Sequence, residues 1–173
     1  MDRNEIKRRA EDTLFGAGTG QAFAVLDGAR WRGLRGVLEE SGAAFECLHS
    51  GDLDPEVLAV SPYLVQLREE SDFFDTVFER IWGQARGILL HATGTLAELR
   101  QHLRGLAYAE MPDGEMTLFR FYDPRALALF MSVATPDQVD AIFGERVTHV
   151  IAELADGQGA ALYLPGSGDY VSL

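Results

Sequence analysis

The chain has 173 residues, 47% hydrophobic and 24% charged, which is the composition of a soluble globular protein and the length of one domain. The net charge of −12 disfavours nucleic-acid binding, because an acidic surface repels phosphate backbones. The longest apolar run, 126–133, is far shorter than the roughly 20 residues of a membrane helix, so no membrane partner is expected.

The predicted compartment is the cytoplasm. The single cysteine, Cys47, has no partner for an internal disulfide, which favours a reducing environment. The N-terminal segment 1–12 is charged and no apolar stretch follows it, so a secretory signal is not expected.

Helical and extended patterns alternate along the chain. Residues 72–82 form the clearest amphipathic helix, with apolar side chains at i, i+3, i+4, i+7 and i+8. Thr95 and Glu98 form a capping box that opens another helix. Further helices are predicted over 4–15, 30–39 and 124–134, from Asp54-Pro55, and from Thr135 or Asp137 to the residue before Gly144.

Six extended segments lie between these helices. They cover residues 22–26, 43–48, 87–91, 116–122, 148–154 and 160–164, the last two as a hairpin across 156–159. Pro62 is predicted to interrupt regular structure. The alternation predicts an α/β protein: a single domain with a mixed β-sheet flanked by helices.

Glycine-rich segments and the cysteine have structural explanations. Residues 16–20 follow a helix and precede a strand, the reverse of a dinucleotide-binding loop, so they are predicted to be a helix-stopping turn. Residues 166–169 are predicted to be a surface turn, and Cys47 a buried, inert thiol.

The histidines and paired acids also lack the spacing of a reactive site. His49, His91, His102 and His149 form no metal-ligand motif, and a structural role is expected for each, although His91 ends a strand and could line a cleft. We therefore predict no catalytic residue, no cofactor and no metal, and the chain is not expected to be an enzyme.

The segment 119–125, FRFYDPR, is the most unusual part of the sequence. As the end of a strand, it would place Arg120 among core-like aromatic residues, where an unpaired charge costs several kcal/mol. Arg120 should therefore meet a carboxylate, reach the rim of the sheet or be held for a partner. Asp123 and Pro124 are suited to an N-cap and a first helical residue. Arg125 then falls in the first turn, where a cation opposes the helix dipole and also requires a carboxylate.

This corner is interpreted as a structural salt bridge or, alternatively, as a recognition site. The helix that follows it is apolar on nearly all sides, so it is either wholly buried, which we favour, or partly covered by another protein.

Three landmarks together resemble the effector adaptors, or chaperones, of the bacterial type VI secretion system. They are SPYLVQL at 61–67, QHLRGL at 101–106 and the complete FRFYDPR corner at 119–125. The corner is the most specific of the three. The resemblance implies a variable N-terminal lobe at about 1–60 and a motif-bearing region at about 61–134.

The resemblance also implies a function and a set of site residues. Members of this family bind a secreted effector protein in the cytoplasm and help load it onto the VgrG-type spike, without catalysis. The motif residues carried over to this chain are Pro62, Tyr63, His102, Arg104, Phe119, Arg120, Tyr122, Asp123 and Arg125.

Two alternatives stay open at this stage. An immunity-type protein would bind a toxin to neutralise it, and the charge of −12 would suit a basic toxin. A small α/β enzyme would use an anion-binding cleft formed by His91, Arg120 and Asp123.

Overall fold

Helices and strands alternate through most of the chain in the computed structural model, which describes residues 2–110, 116–154 and 157–173. The helices are α1 (Arg3–Phe15), α2 (Leu34–Ser41), α3 (Pro55–Val60), α4 (Asp72–Ile81), α5 (Leu96–Leu106), α6 (Pro124–Val133) and α7 (Pro136–Phe143). The strands are β1 (Gln21–Asp27), β2 (Phe45–Cys47), β3 (Pro62–Gln66), β4 (Gly87–Ala92), β5 (Tyr108–Glu110), β6 (Met116–Leu118), β7 (Val147–Glu153), β8 (Ala160–Tyr163) and β9 (Tyr170–Ser172).

One seven-stranded sheet organises the described residues, in the order β2-β3-β1-β4-β7-β8-β9, and β5 and β6 form a separate two-stranded ribbon. The α/β class, with helices flanking a central sheet, is confirmed. Every strand pairing within the described ranges is antiparallel. The sequence pattern had favoured a mixed sheet.

The connections explain why parallel neighbours do not occur. The α2 crossover joins β1 to β2, and the α4 crossover joins β3 to β4. Each crossover links strands that run in the same direction, as helical crossovers usually do. However, β3 lies between β1 and β2, and β1 lies between β3 and β4, so an antiparallel strand separates each parallel pair.

Both faces of the sheet are covered by helices. On one face, side chains of α5, α6 and α7 pack with Phe23 and Val25 of β1 into a first apolar core. On the other face, side chains of α1, α2 and α4 pack with Ala24 and Leu26 into a second core. Because successive strand residues point to opposite faces, β1 contributes to both cores and is apolar nearly throughout.

Local signals placed most helix ends correctly. The predicted capping box of Thr95 and Glu98 is formed at the start of α5, and Thr135 forms a second box at the start of α7. Helix α6 begins at Pro124, directly after its N-cap Asp123, as predicted. The strands predicted at 148–154 and 160–164 pair as the antiparallel neighbours β7 and β8, although Asp156 of the connecting segment lies outside the described residues.

Three predictions about strands need correction. The strand predicted over 116–122 ends at Leu118 as β6, because the chain then turns. Pro62 does end α3, but it also opens β3, which was not predicted. The ribbon strand β5 and the edge strand β9, each three residues long, were not predicted either, because so short an element carries little periodic signal.

Among the described residues, no helix combines the length and the apolar character needed to cross a membrane.

Candidate functional site

The segment Phe119 to Arg125, called here the motif corner, is a turn between the ribbon and α6. Phe119 N–H donates to Ala107 O at 2.9 Å, which ties the start of the corner to the end of α5. Asp123 N–H then donates to Arg120 O at 2.9 Å and closes a tight turn. This turn brings both Phe121 and Tyr122 into the first core, so the alternation of faces expected of a strand does not apply.

An ion pair joins the corner to the end of the interior strand β1. Arg120 Nη2 donates to Oδ2 of Asp27, the last residue of β1. Asp27 is 1% exposed, whereas the Arg120 side chain is 38% exposed. Burial lowers the pKa of Arg120, but the Asp27 charge and hydrogen bond outweigh this and raise it overall. The expectation that Arg120 meets a carboxylate is thus confirmed.

The second arginine of the corner pairs locally. Asp123 Oδ1 accepts the Arg125 backbone N–H at 3.0 Å, which caps α6. The Arg125 guanidinium donates Nε to Oδ1 at 3.0 Å and Nη2 to Oδ2 at 2.6 Å. Burial pushes the pKa of Asp123 up, but the Arg125 hydrogen bonds and charge outweigh it, so the pKa lies below its ordinary value. Arg125, the cation in the first turn of α6, therefore has the carboxylate partner that the sequence predicted.

Aromatic rings fix the remaining side chains of the corner. Tyr122 is 3% exposed, and the Arg120 guanidinium carbon lies 5.8 Å from its ring centroid. Burial and the Asp27 charge raise the pKa of Tyr122, although Arg120 opposes them. Phe119 is half-buried and packs on Phe130 of α6, with ring centroids 4.8 Å apart.

A pocket of about 270 Å³ lies beside the corner. Arg30, Arg125 and Glu153 line it together with the loop at 83–85. Glu153, at the end of β7, accepts the backbone N–H groups of Gly83 and Ala85. Burial raises the pKa of Glu153 in spite of these hydrogen bonds. Arg30 donates to Gln84 O at 3.1 Å, and its guanidinium has no carboxylate partner within the described residues.

The first weaker landmark is divided between the two faces of the sheet. Pro62 is buried and pairs in register with Asp27, so it lies directly beside the carboxylate that holds Arg120. Tyr63 belongs to the second core, on the face opposite Tyr122, and its hydroxyl donates to Leu58 O at 2.8 Å.

The second weaker landmark lies on α5, away from the corner. The ring nitrogen Nε2 of His102 is 2.9 Å from Ile142 O and holds the end of α7. Arg104 donates to Ser50 Oγ at 2.8 Å and lines a groove of about 560 Å³ between α5 and the loop after β2.

Five of the nine predicted residues therefore surround one site: Pro62, Arg120, Tyr122, Asp123 and Arg125. Phe119 borders it, while Tyr63, His102 and Arg104 lie elsewhere. Asp27, Arg30 and Glu153 were not predicted to belong to the site. Asp27 carried one detectable signal, since it is a carboxylate directly after the apolar run of β1.

The histidines do not contribute to this site. His91 and His149 pair across β4 and β7 with ring centroids 5.3 Å apart, and Thr148 Oγ1 lies 2.7 Å from His91 Nδ1. His91 is opposite Ala22 in β1, five residues from Asp27, or about 16 Å along the strand. The cleft of His91, Arg120 and Asp123 considered from the sequence is therefore not formed.

Helix α6 leaves one face open to solvent. Leu127 and Met131 are buried, but Leu129 and Val133 are 69% and 75% exposed. With Ala128 and Ser132 they form a continuous exposed face, called here the α6 stripe. The favoured prediction that this helix is wholly buried is wrong. Coverage by another protein stays a prediction.

The fold and the site define a small α/β protein whose motif corner is fixed by buried carboxylates and presents an exposed apolar helix. A family model, the domain of unknown function DUF4123, matches residues 22–141. The chain belongs to this family. No curated protein and no solved structure matches the chain. The match includes residues 22–27 of β1 and the whole motif corner, so Asp27 and its partner Arg120 both lie within the family domain.

Proposed function

We propose that the protein is a non-enzymatic adaptor that binds a type VI secretion effector in the cytoplasm and helps load it onto the VgrG-type spike. Membership of the DUF4123 family and the complete FRFYDPR segment support this proposal. The assignment to this secretion system rests on the motif resemblance and on the family.

The observation that carries a binding function is the exposure of α6. Among the described residues, Leu129 and Val133 are the two most exposed large apolar side chains, and both are on the helix that the motif corner begins. Exposed apolar patches on a folded domain mark interaction surfaces. The ion pairs of the corner hold the start of this helix in place.

The enzyme alternative lacks comparable support. The side chains considered for a catalytic cleft are separated, since His91 is buried against His149 and Thr148 while Arg120 is paired with Asp27. Within the described residues, no group of three or more histidine, cysteine or acidic side chains is arranged to hold a metal ion.

Co-purification and secretion together test the adaptor proposal. The purified protein is mixed with the effector and the spike protein encoded beside its gene, and a stable complex with the effector is expected. Deletion of the gene is expected to abolish secretion of that effector while growth stays normal. A folded protein that binds neither neighbour would contradict the proposal.

The same deletion separates the immunity alternative. An immunity-type protein protects its own cell, so its loss beside an active toxin is lethal. Cell death on deletion, rescued by an inactive toxin variant, would replace the adaptor function with neutralisation.

A further inference from the structure

The motif corner presents its arginines outward and its carboxylates inward. Asp27 and Asp123 are 1% and 6% exposed, and each holds an arginine whose side chain is 38% and 55% exposed, respectively. A guanidinium has five N–H donors, and the observed ion pairs use only some of them. The outward side of the corner therefore presents guanidinium N–H donors, although each ion pair is neutral as a whole.

A third arginine extends this surface. Arg30 is exposed, lines the same pocket as Arg125 and has no carboxylate partner among the described residues. We call Arg30, Arg120 and Arg125 the arginine patch. A cationic surface is unusual on a chain with a net charge of −12, so the patch differs in sign from the chain as a whole.

The patch is continuous with the apolar surface of α6. Arg125 precedes the α6 stripe at the spacing i, i+3, i+4, i+7 and i+8, so all five side chains share one helical face. This face is about 12 Å long from Arg125 to Val133. It would accommodate about four residues of an extended segment or two turns of a helix.

We propose that the arginine patch and the α6 stripe form one docking surface for an acidic, apolar-flanked segment of a partner protein. The proposal rests on the adaptor function and specifies the chemistry of the segment bound. Carboxylates of the segment bind the arginines, which the buried Asp27 and Asp123 hold in position, and its apolar side chains cover Leu129 and Val133.

Overlapping 20-residue peptides of the neighbouring effector and spike protein test this surface against the full-length chain. Peptides that bind are expected to carry Asp or Glu beside apolar residues. Arg30→Gln and Val133→Ser are each expected to weaken binding about tenfold. Raising the salt concentration from about 0.05 to about 0.5 M should weaken wild-type binding more than that of Arg30→Gln.

Two matched controls lie on the opposite face of the sheet. Arg35→Gln changes an exposed arginine of α2 that pairs with Glu39. Val171→Ser changes a 55% exposed valine of β9 that is in register with Leu162, which packs against the second core. Both controls should bind as the wild type does. Arg30 forms one hydrogen bond to a backbone carbonyl, so Arg30→Gln also tests the patch without opening a buried ion pair.

The outcomes separate this inference from the adaptor function. If the effector or spike protein binds equally to wild type, Arg30→Gln and Val133→Ser, the docking surface is overturned and the adaptor function stands. A concentration-dependent dimer that Leu129→Ser dissociates would assign the stripe to a second copy of the chain and overturn the partner segment. Binding of neither protein to the wild type overturns the adaptor function itself.

Discussion

The motif corner and the histidine pair show two ways of placing titratable side chains inside one sheet. At the corner, the buried carboxylates of Asp27 and Asp123 each form an ion pair with a guanidinium. At the other end of β4, His91 and His149 are 2% and 6% exposed and face each other, with no hydrogen-bond partner for His149 Nε2 in the described structure.

Each solution has a different weakness. A paired charge is stable until one partner is removed, because the other is then left buried and unpaired. A neutral imidazole is stable until it must accept a proton, since burial and the neighbouring His91 lower the pKa of His149 to about 4. The corner is therefore expected to be sensitive to mutation, and the histidine pair to be sensitive to pH.

The largest expected effect is that of Arg120→Ala. The change leaves Asp27 almost fully buried without its cation, and we expect a loss of about 3–4 kcal/mol in the free energy of unfolding. The value lies in the lower part of the range for buried pairs because Arg120 is 38% exposed. Urea unfolding at neutral pH measures it.

The control for this variant is Arg35→Ala, which removes a solvent-exposed pair with Glu39 and should leave the free energy of unfolding nearly unchanged. The double variant Asp27→Asn with Arg120→Met is expected to recover most of the stability, because no unpaired charge is left behind. An Arg120→Ala protein as stable as the wild type would reject the buried-pair interpretation.

The next largest effect is a loss of stability in mild acid. His149 has a folded pKa of about 4 against an ordinary value of 6.5, so the unfolded chain binds a proton that the folded chain does not. The contribution of neutral His149 to the free energy of unfolding is therefore complete above about pH 6.5. Below this pH it decreases by about 1.4 kcal/mol per pH unit, so about 2–3 kcal/mol is lost near pH 4.

His149→Phe tests the source of this loss. The phenyl ring takes no proton, so the fall in stability between about pH 6.5 and about pH 4 should become shallower. The lowered pKa of Asp123 causes a further loss of stability only below about pH 4. The effects of the motif corner and of the histidine pair therefore occur at different pH. A profile for His149→Phe parallel to that of the wild type would show that other groups cause the acid sensitivity.

A smaller effect is expected for Asp123→Ala. The change removes both the N-cap of α6 and the partner of Arg125, and it should lower the free energy of unfolding by about 1–2 kcal/mol. Thermal unfolding followed by circular dichroism measures the loss. Asp123→Asn can still cap the helix, so its loss in free energy of unfolding should be about half that of Asp123→Ala.

The smallest effect is expected for Arg125→Ala. Asp123 keeps the backbone N–H of residue 125, and the Arg125 side chain is 55% exposed, so the cost should stay below about 1 kcal/mol. The variant is compared with Arg120→Ala in the same urea titration. An equal loss of stability in the two variants would show that the Arg120–Asp27 pair contributes no more than the Arg125–Asp123 pair.

The sequence predicted those features that depend on neighbouring residues. Asp123 as an N-cap, Thr95 in a capping box and the amphipathic α4 are all decided within one or two helical turns, and all three are confirmed. The demand of Arg120 for a carboxylate was also predicted from the aromatic residues around it.

The identity of that carboxylate could not be predicted. Asp27 is 93 positions from Arg120 and reaches it only because β1 is an interior strand, between β3 and β4. Tertiary packing also decides that the strand ends at Leu118. The turn closed by Asp123 and Arg120 depends on Phe121 and Tyr122 both entering the first core. The exposure of Leu129 and Val133 likewise depends on which face of α6 packs on the sheet.

The interior position of β1 also constrains the order in which the chain can fold during synthesis. Both neighbours of β1 are encoded after it, as β3 at Pro62–Gln66 and β4 at Gly87–Ala92. At about 5–20 residues per second, roughly 3–13 s separate the synthesis of Asp27 from that of Ala92.

Until β3 is complete, roughly 2–8 s after Asp27, β1 has two unpaired edges, and until β4 is complete it has one. Unpaired strand edges of this kind make nascent chains prone to aggregate. A fragment that stops near residue 60 would contain β1 and β2 but neither β3 nor β4, so neither of its strands would have its native neighbour. Truncations from the C-terminal side that remove β4 are therefore expected to be insoluble although they still contain β1.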